Sequence, residues 1–129
     1  MELVSGEGVG IDLIEIDRVE AALERRPDLA ARLFSPGEIA YASERARPAR
    51  HLAARFAAKE AVVKAIGERG VPVSQVKIRI DGSGAPRVEL SGRASEIALA
   101  RGLDVSVSLT HSREMAGAVA LVRASSTTH

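Results

Sequence analysis

The stretch from Arg55 to Ala65, RFAAKEAVVKA, constrains this chain more than any other. It is rich in alanine, holds no Gly or Pro, and consists of strong helix formers, so it predicts a long central helix. At about 100° per residue, Leu52, Phe56, Val63 and Ile66 fall on one apolar stripe. Glu60 and Lys64, four apart, share a face beside that stripe. The small side chains of Ala53 and Ala57 lie next to them, and the spacing predicts room for a ligand above those alanines. Lys59 projects near the centre of the stripe, an unusual position for a charge without a partner or a task. Taken alone, a Glu–Lys pair at this spacing reads as a solvated surface pair. Two distant segments, Gly8 to Asp12 and Ser108 to His111, change its weight.

Val9, Ile11 and Leu13 alternate with Gly10, Asp12 and Ile14, which predicts a strand with apolar residues on both faces. Asp12 sits inside it, where aspartate is rare unless it turns the chain, pairs or binds metal. Asp17 is placed to cap a helix from Arg18 to Arg26, which Pro27 breaks. Asp28 is placed to cap a further turn through Phe34. Ser35-Pro36-Gly37-Glu38 combines an N-cap, a proline at the first helical position and a glutamate at the third, and starts a helix through Glu44. Residues 45–50 read as a basic connection, and the central helix then ends at Gly67 or Gly70. The period then changes. Val76, Ile78 and Ile80 form one arm of a hairpin, residues 81–86 its turn, and Arg87 to Leu90 its return. A helix from Arg93 to Ala100 is stopped by Gly102. Val105, Val107 and Leu109 alternate in a strand that ends at Thr110-His111, and Met115 to Val122 is a small-residue apolar run suited to a central strand.

These elements predict an α+β fold. It is a single compact domain over residues 1–123, mainly antiparallel sheet packed on the long central helix, with a disordered tail over 124–129. A chain of 129 residues can bury such a core without staples. It has no cysteine, which removes disulfides, thiolate zinc sites and thiol catalysis. A net charge of +1, one Tyr, two Phe and no Trp argue against a nucleic-acid partner. No apolar run approaches the roughly 20 residues of a membrane span, and no signal peptide stands at the N-terminus. The expected compartment is the cytoplasm.

Polar residues thus fall where structure alone does not ask for them: Asp12 in a strand, Glu60 and Lys64 on a helix, His111 at a strand's end. Two carboxylates from separate elements can hold a hard divalent cation such as Mg²⁺, which completes its shell with water and phosphate oxygens. A lysine nearby neutralises phosphate charge. The parts suit phosphate or pyrophosphate chemistry, where positioning and charge stabilisation do most of the catalysis. There is no Walker A loop, and the glycine-rich run Gly6 to Gly10 precedes a strand where a phosphate loop would link strand to helix.

Three segments together, GIDLIEIDR from Gly10, RFAAKEAVVKA from Arg55 and VSLTH from Val107, resemble holo-[acyl-carrier-protein] synthase, the small trimeric class of 4′-phosphopantetheinyl transferases. The resemblance runs from about Val9 to Arg123, and Gly84-Ala85-Pro86 is similar to a Gly-x-Pro turn of that family. It implies transfer of phosphopantetheine from coenzyme A to a serine of apo acyl carrier protein, releasing adenosine 3′,5′-bisphosphate. By the resemblance, Asp12 and Glu60 hold Mg²⁺. Lys64 lies against the phosphates and stabilises leaving-group charge. Arg55 and His111, with the Gly84–Pro86 turn, hold coenzyme A, and Arg18 grips an acidic residue of the carrier protein. A homotrimer with its active site between subunits is also implied. The proton acceptor for the serine is either Glu60, through a metal-bound water, or His111. Two other classes compete with the transferase. One is a trimer that sequesters coenzyme A or a carrier protein without turnover. The other is a structural oligomer in which Asp12, Glu60 and Lys64 form an ionic network.

Overall fold

The computed structural model describes residues 7–80 and 82–125. Gly6, Asp81 of the hairpin turn and residues 126–129 of the expected tail lie outside the described residues. In chain order the elements are β1 (Gly8–Glu15), α1 (Ile16–Arg25), α2 (Leu29–Leu33), α3 (Pro36–Ser43) and α4 (Pro48–Ile66). A 3₁₀ turn (Val73–Gln75) leads to β2 (Val76–Ile80), β3 (Pro86–Leu90), α5 (Gly92–Arg101), β4 (Leu103–His111) and β5 (Met115–Ala124). The strands form a three-stranded antiparallel sheet in the order β1-β5-β4 and a β2-β3 hairpin. The apolar run in β5 is indeed the central strand. Ala124, the first residue of the expected tail, still pairs with Leu103.

One face of the sheet packs on α4. Ala57, Ala58, Ala61, Val62 and Ala65 of the helix meet Ala118, Ala120 and Val122 of β5 in one core cluster. Small residues on both sides bring the helix axis close to the sheet, and β1 comes closest of all. A Cβ added to Gly8 would collide with the carbonyl oxygen of Ala65, and one added to Gly10 with that of Ala61. Gly8 and Gly10 of the N-terminal run therefore serve backbone-to-backbone packing. The inward residues of β1 are Gly8, Gly10, Asp12 and Ile14, so strand parity turns the Asp12 carboxylate towards α4.

Several expectations are corrected. The central helix begins at Pro48, inside the segment read as a connection, because proline at the first helical position lacks only a donor that has no partner there. Arg47, in the left-handed region at φ 53°, makes the turn into it. The buried surface of α4 is wider than the expected stripe. Leu52 and Ile66 are buried, but Phe56 and Val63 are half-buried, and alanines fill the sheet-facing side. Ala53 and Ala57 are fully enclosed in the core, so no ligand space lies above them. The N-cap of α1 is Glu15, without a side-chain cap, and Asp17 falls in the first turn. The strand runs straight into the helix there, and the Ile16 amide bonds the carbonyl of Glu114 at 2.9 Å. Asp28 occupies an N-cap position without a capping hydrogen bond.

The capping box of α3 is present: the Glu38 amide donates to Ser35 Oγ at 3.2 Å and the Ser35 amide to Glu38 Oε1 at 2.8 Å. Glu38 does more than cap. Its side chain is buried, forms a 2.8 Å ion pair with buried Lys59, and accepts from the Ile78 amide at 2.7 Å through Oε2. Lys59 also donates to the Val76 carbonyl. The odd lysine of α4 thus joins α3, α4 and β2 in one buried network. Among the described residues, no helix is long and apolar enough to cross a membrane.

Candidate active site

Asp12 reaches from β1 and Glu60 from α4 into one cavity of about 720 Å³. Leu23, Leu33, Phe34 and Phe56 give it an apolar wall, and Arg18, exposed in the first turn of α1, also lines it. Lys64 stands beside this cavity and reaches across to β1. Its Nζ donates to Asp12 Oδ1 at 2.9 Å and to the Ile11 carbonyl at 3.1 Å. The lysine holds the Asp12 carboxylate in place, one turn from Glu60. Glu60 has its carboxyl raised above the ordinary carboxylate range. Burial is the main cause, the negative charge of Asp12 adds to it, and Lys64 opposes it. Two carboxylates whose charges disfavour one another, with a lysine at their edge, are suited to a cation between them. Among the described residues, no group of three or more His, Cys, Asp or Glu side chains gathers anywhere. A metal here would therefore have two protein carboxylates and take its remaining ligands from water and substrate oxygens. That donor set fits Mg²⁺.

The other predicted residues collect elsewhere. Arg55, Gly84, Pro86 and His111 line a second cavity of about 400 Å³, with Tyr41 and His51. Arg55 is buried, and its guanidinium lies 4.1 Å from the centre of the Tyr41 ring. Burial lowers its pKa, against the opposing influence of Tyr41 and Glu38. Its Nε has no hydrogen-bond partner. The Tyr41, His51 and His111 rings form an edge-to-face chain with centroids 6.0 and 5.9 Å apart. Within one chain, then, the carboxylate pair and the arginine–histidine group line different cavities with no residue in common. Sequence reasoning passed over Tyr41 and His51, and read Glu38 only as part of a helix cap. Tyr41 is the one tyrosine of an aromatic-poor chain and stands among arginines, and that was the available signal.

Comparison with known proteins identifies the family. The family model of the 4′-phosphopantetheinyl transferase superfamily matches residues 8–119. The holo-[acyl-carrier-protein] synthase of Moorella thermoacetica is 48% identical, over 90% of this chain and 93% of its own. That of Syntrophus aciditrophicus is 46% identical, over 89% and 94%. A solved complex of Chronobacterium ammoniagenes ACPS with CoA superposes with a TM-score of 0.81 at 29% identity, over 94% of this chain and 99% of that one. The chain belongs to the 4′-phosphopantetheinyl transferase superfamily, in its holo-[acyl-carrier-protein] synthase family.

Proposed function

We propose that this protein transfers 4′-phosphopantetheine from coenzyme A to the acceptor serine of apo acyl carrier protein, releasing adenosine 3′,5′-bisphosphate, with Mg²⁺ held by Asp12 and Glu60. The observation that carries this reading is the Asp12–Glu60 carboxylate pair with Lys64 bound at its edge, at the mouth of a cavity large enough for the reacting groups. Bound there, the metal would neutralise pyrophosphate charge. Glu60, lining the same cavity, is placed to take up the serine proton. The serine oxygen bonds to the phosphorus that carries pantetheine, the pyrophosphate P–O bond breaks, and the nucleotide bisphosphate leaves. Lys64 offsets the charge that develops on it. Arg18 is placed to meet an acidic residue on the carrier protein. Arg55 and His111, with the Gly84–Pro86 turn, hold the phosphates of the nucleotide.

A homotrimer reconciles the two cavities. On the outer face of the sheet, Val9, Ile11, Leu13, Val119 and Leu121 are 57, 63, 66, 43 and 39% exposed. Val9 pairs with Leu121 and Ile11 with Val119, so these side chains form one continuous apolar surface. Such a surface suits further copies of the chain. In such a trimer the site would be completed between subunits, with the carboxylate cavity of one against the arginine–histidine cavity of its neighbour. The proposed compartment is the cytoplasm.

The test is the intact mass of an apo acyl carrier protein after incubation with this protein, coenzyme A and Mg²⁺. The expected result is a gain of one phosphopantetheine group, abolished by a chelator and by Asp12→Ala or Glu60→Ala in folded protein. An unchanged carrier mass would favour a module that binds without turnover. Full activity in both variants would remove the metal assignment.

A further inference from the structure

His51 sits one helical turn before Arg55 on α4 and opens into the same cavity. Its surroundings are cationic or neutral on every side. Arg50 and Arg55 belong to its own helix, Tyr41 comes from α3 with Arg45 just beyond that helix, and His111 comes from β4. Tyr41 itself carries the guanidinium of Arg45 on its ring, 3.3 Å from the centre. Among the described residues, no carboxylate lines the cavity. The nearest buried one, Glu38, is engaged by Lys59 and by two backbone amides. The Nε atoms of both Arg50 and Arg55 are buried without a hydrogen-bond partner. Arg55 is 3% exposed, so its charge is carried in the interior. The cavity thus has positive charge and lacks an anion.

We propose that His51 is a further phosphate-binding residue of this cavity, neutral while the cavity is empty and taking up a proton when a phosphate group enters beside Arg55 and His111. This rests on reading the cavity as the part of the site that holds the nucleotide phosphates. In the empty state, burial and then the surrounding Arg50, His111, Arg55 and Arg45 all disfavour the imidazolium. A phosphate dianion reverses the local field and offers acceptor oxygens to the ring N–H groups. Linkage then requires that binding draw in protons, so affinity rises as pH falls. In the empty state the His51 pKa lies below the ordinary 6.5, so the uptake on binding is read at a pH above that lowered value.

The experiment is isothermal titration calorimetry with adenosine 3′,5′-bisphosphate, in phosphate-free buffers of different ionisation enthalpy. At about pH 7.5 the phosphate monoesters are already dianions, so proton uptake reports on the protein. The parent protein should show net uptake. His51→Phe preserves the ring contacts with Tyr41 and His111 but cannot titrate. It should lose the uptake and bind about tenfold more weakly, the loss of one charge-assisted contact. His51→Gln, which can donate to phosphate without titrating, should recover part of the affinity and none of the uptake. Binding by the parent without proton exchange would overturn the inference and leave the proposed function intact. Uptake that persists in both variants would assign the proton to His111 and overturn it as well. A parent that does not bind the bisphosphate at all would remove both readings.

Discussion

Replacing Gly10 by alanine tests whether close packing of β1 on α4 is what places Asp12. An ideal Cβ at Gly10 would stand 2.9 Å from the carbonyl carbon of Ala61 and 3.0 Å from the amide nitrogen of Ala65, and nearer still to the Ala61 carbonyl oxygen, whereas ordinary contact begins at 3.4 Å. The obstructing atoms are helix backbone, so no rotamer change relieves them. The strand must retreat by on the order of 1 Å, and overpacking of this kind costs about 1–3 kcal/mol. Asp12 is two residues along, on the same inward face, and moves with the strand. A misplacement of that size at a reacting centre lowers rate by about 10²-fold. The assays are urea denaturation and single-turnover transfer to an apo carrier protein. Ala61→Gly should not rescue the variant, because the collision is with main chain. Gly37→Ala is the control, since its nearest neighbour is Ser35 Oγ at 4.0 Å, and it should be close to neutral. If Gly10→Ala were as stable and as fast as the parent, or if Ala61→Gly restored it, the close approach would not be what positions the carboxylate.

Lys59→Met should destabilise the fold by about 3–5 kcal/mol in urea melts, because it strands the buried Glu38 carboxylate. Combined with Glu38→Gln, its loss should be smaller than the sum of the two, and strict additivity would mean the pair is not coupled. Glu60→Gln should abolish transfer yet slightly stabilise the metal-free protein near neutral pH, by less than about 1 kcal/mol after solvent screening. The folded-state pKa of Glu60 lies above the ordinary 4.5, so its charge is a burden above that raised value and none below 4.5, where both states are protonated. The stability gap between variant and parent should therefore close on acidification, and a gap that widens would contradict the assignment. Light scattering should find the proposed trimer for the parent and monomers for Ile11→Asp, with loss of transfer. An Ile11→Asp variant of the same mass as a trimeric parent would show that the exposed sheet face is not the subunit contact.

Much of the fold is legible in the sequence because local signals and tertiary outcome agree. The alternation of Val105 to Leu109, the Ser35–Glu38 box and Gly102 after α5 each mark an element that forms. Pro48 misleads because the same residue that breaks a helix interior also opens one. The face of α4 misleads because alanines carry little weight in a hydropathy pattern, yet only they allow the sheet to come near. For the site, the odd placement of Asp12 in a strand and the one-turn spacing of Glu60 and Lys64 on α4 marked the three residues that the fold brings together, whereas the turn of Asp12 towards α4 depends on which face of β1 the helix covers. That Arg55 and His111 line a different cavity could not be read, because it depends on which faces of α4 the sheet and the hairpin cover. The Lys59–Glu38 partnership spans two helices and a strand, and no local pattern announces it.

The alanine-on-alanine seam between α4 and β5 also sets the direction in which this protein can change. A core of large side chains is weakened mainly by truncation, since each lost methylene leaves a void. Here Ala57, Ala58, Ala61, Ala118 and Ala120 are already near the smallest side chain available, so truncation has little left to remove. Enlargement is what the seam refuses. Across these positions, tolerance should follow side-chain volume more than hydrophobicity, with serine accepted where valine or leucine is not. Selection on this interface acts as a ceiling on size.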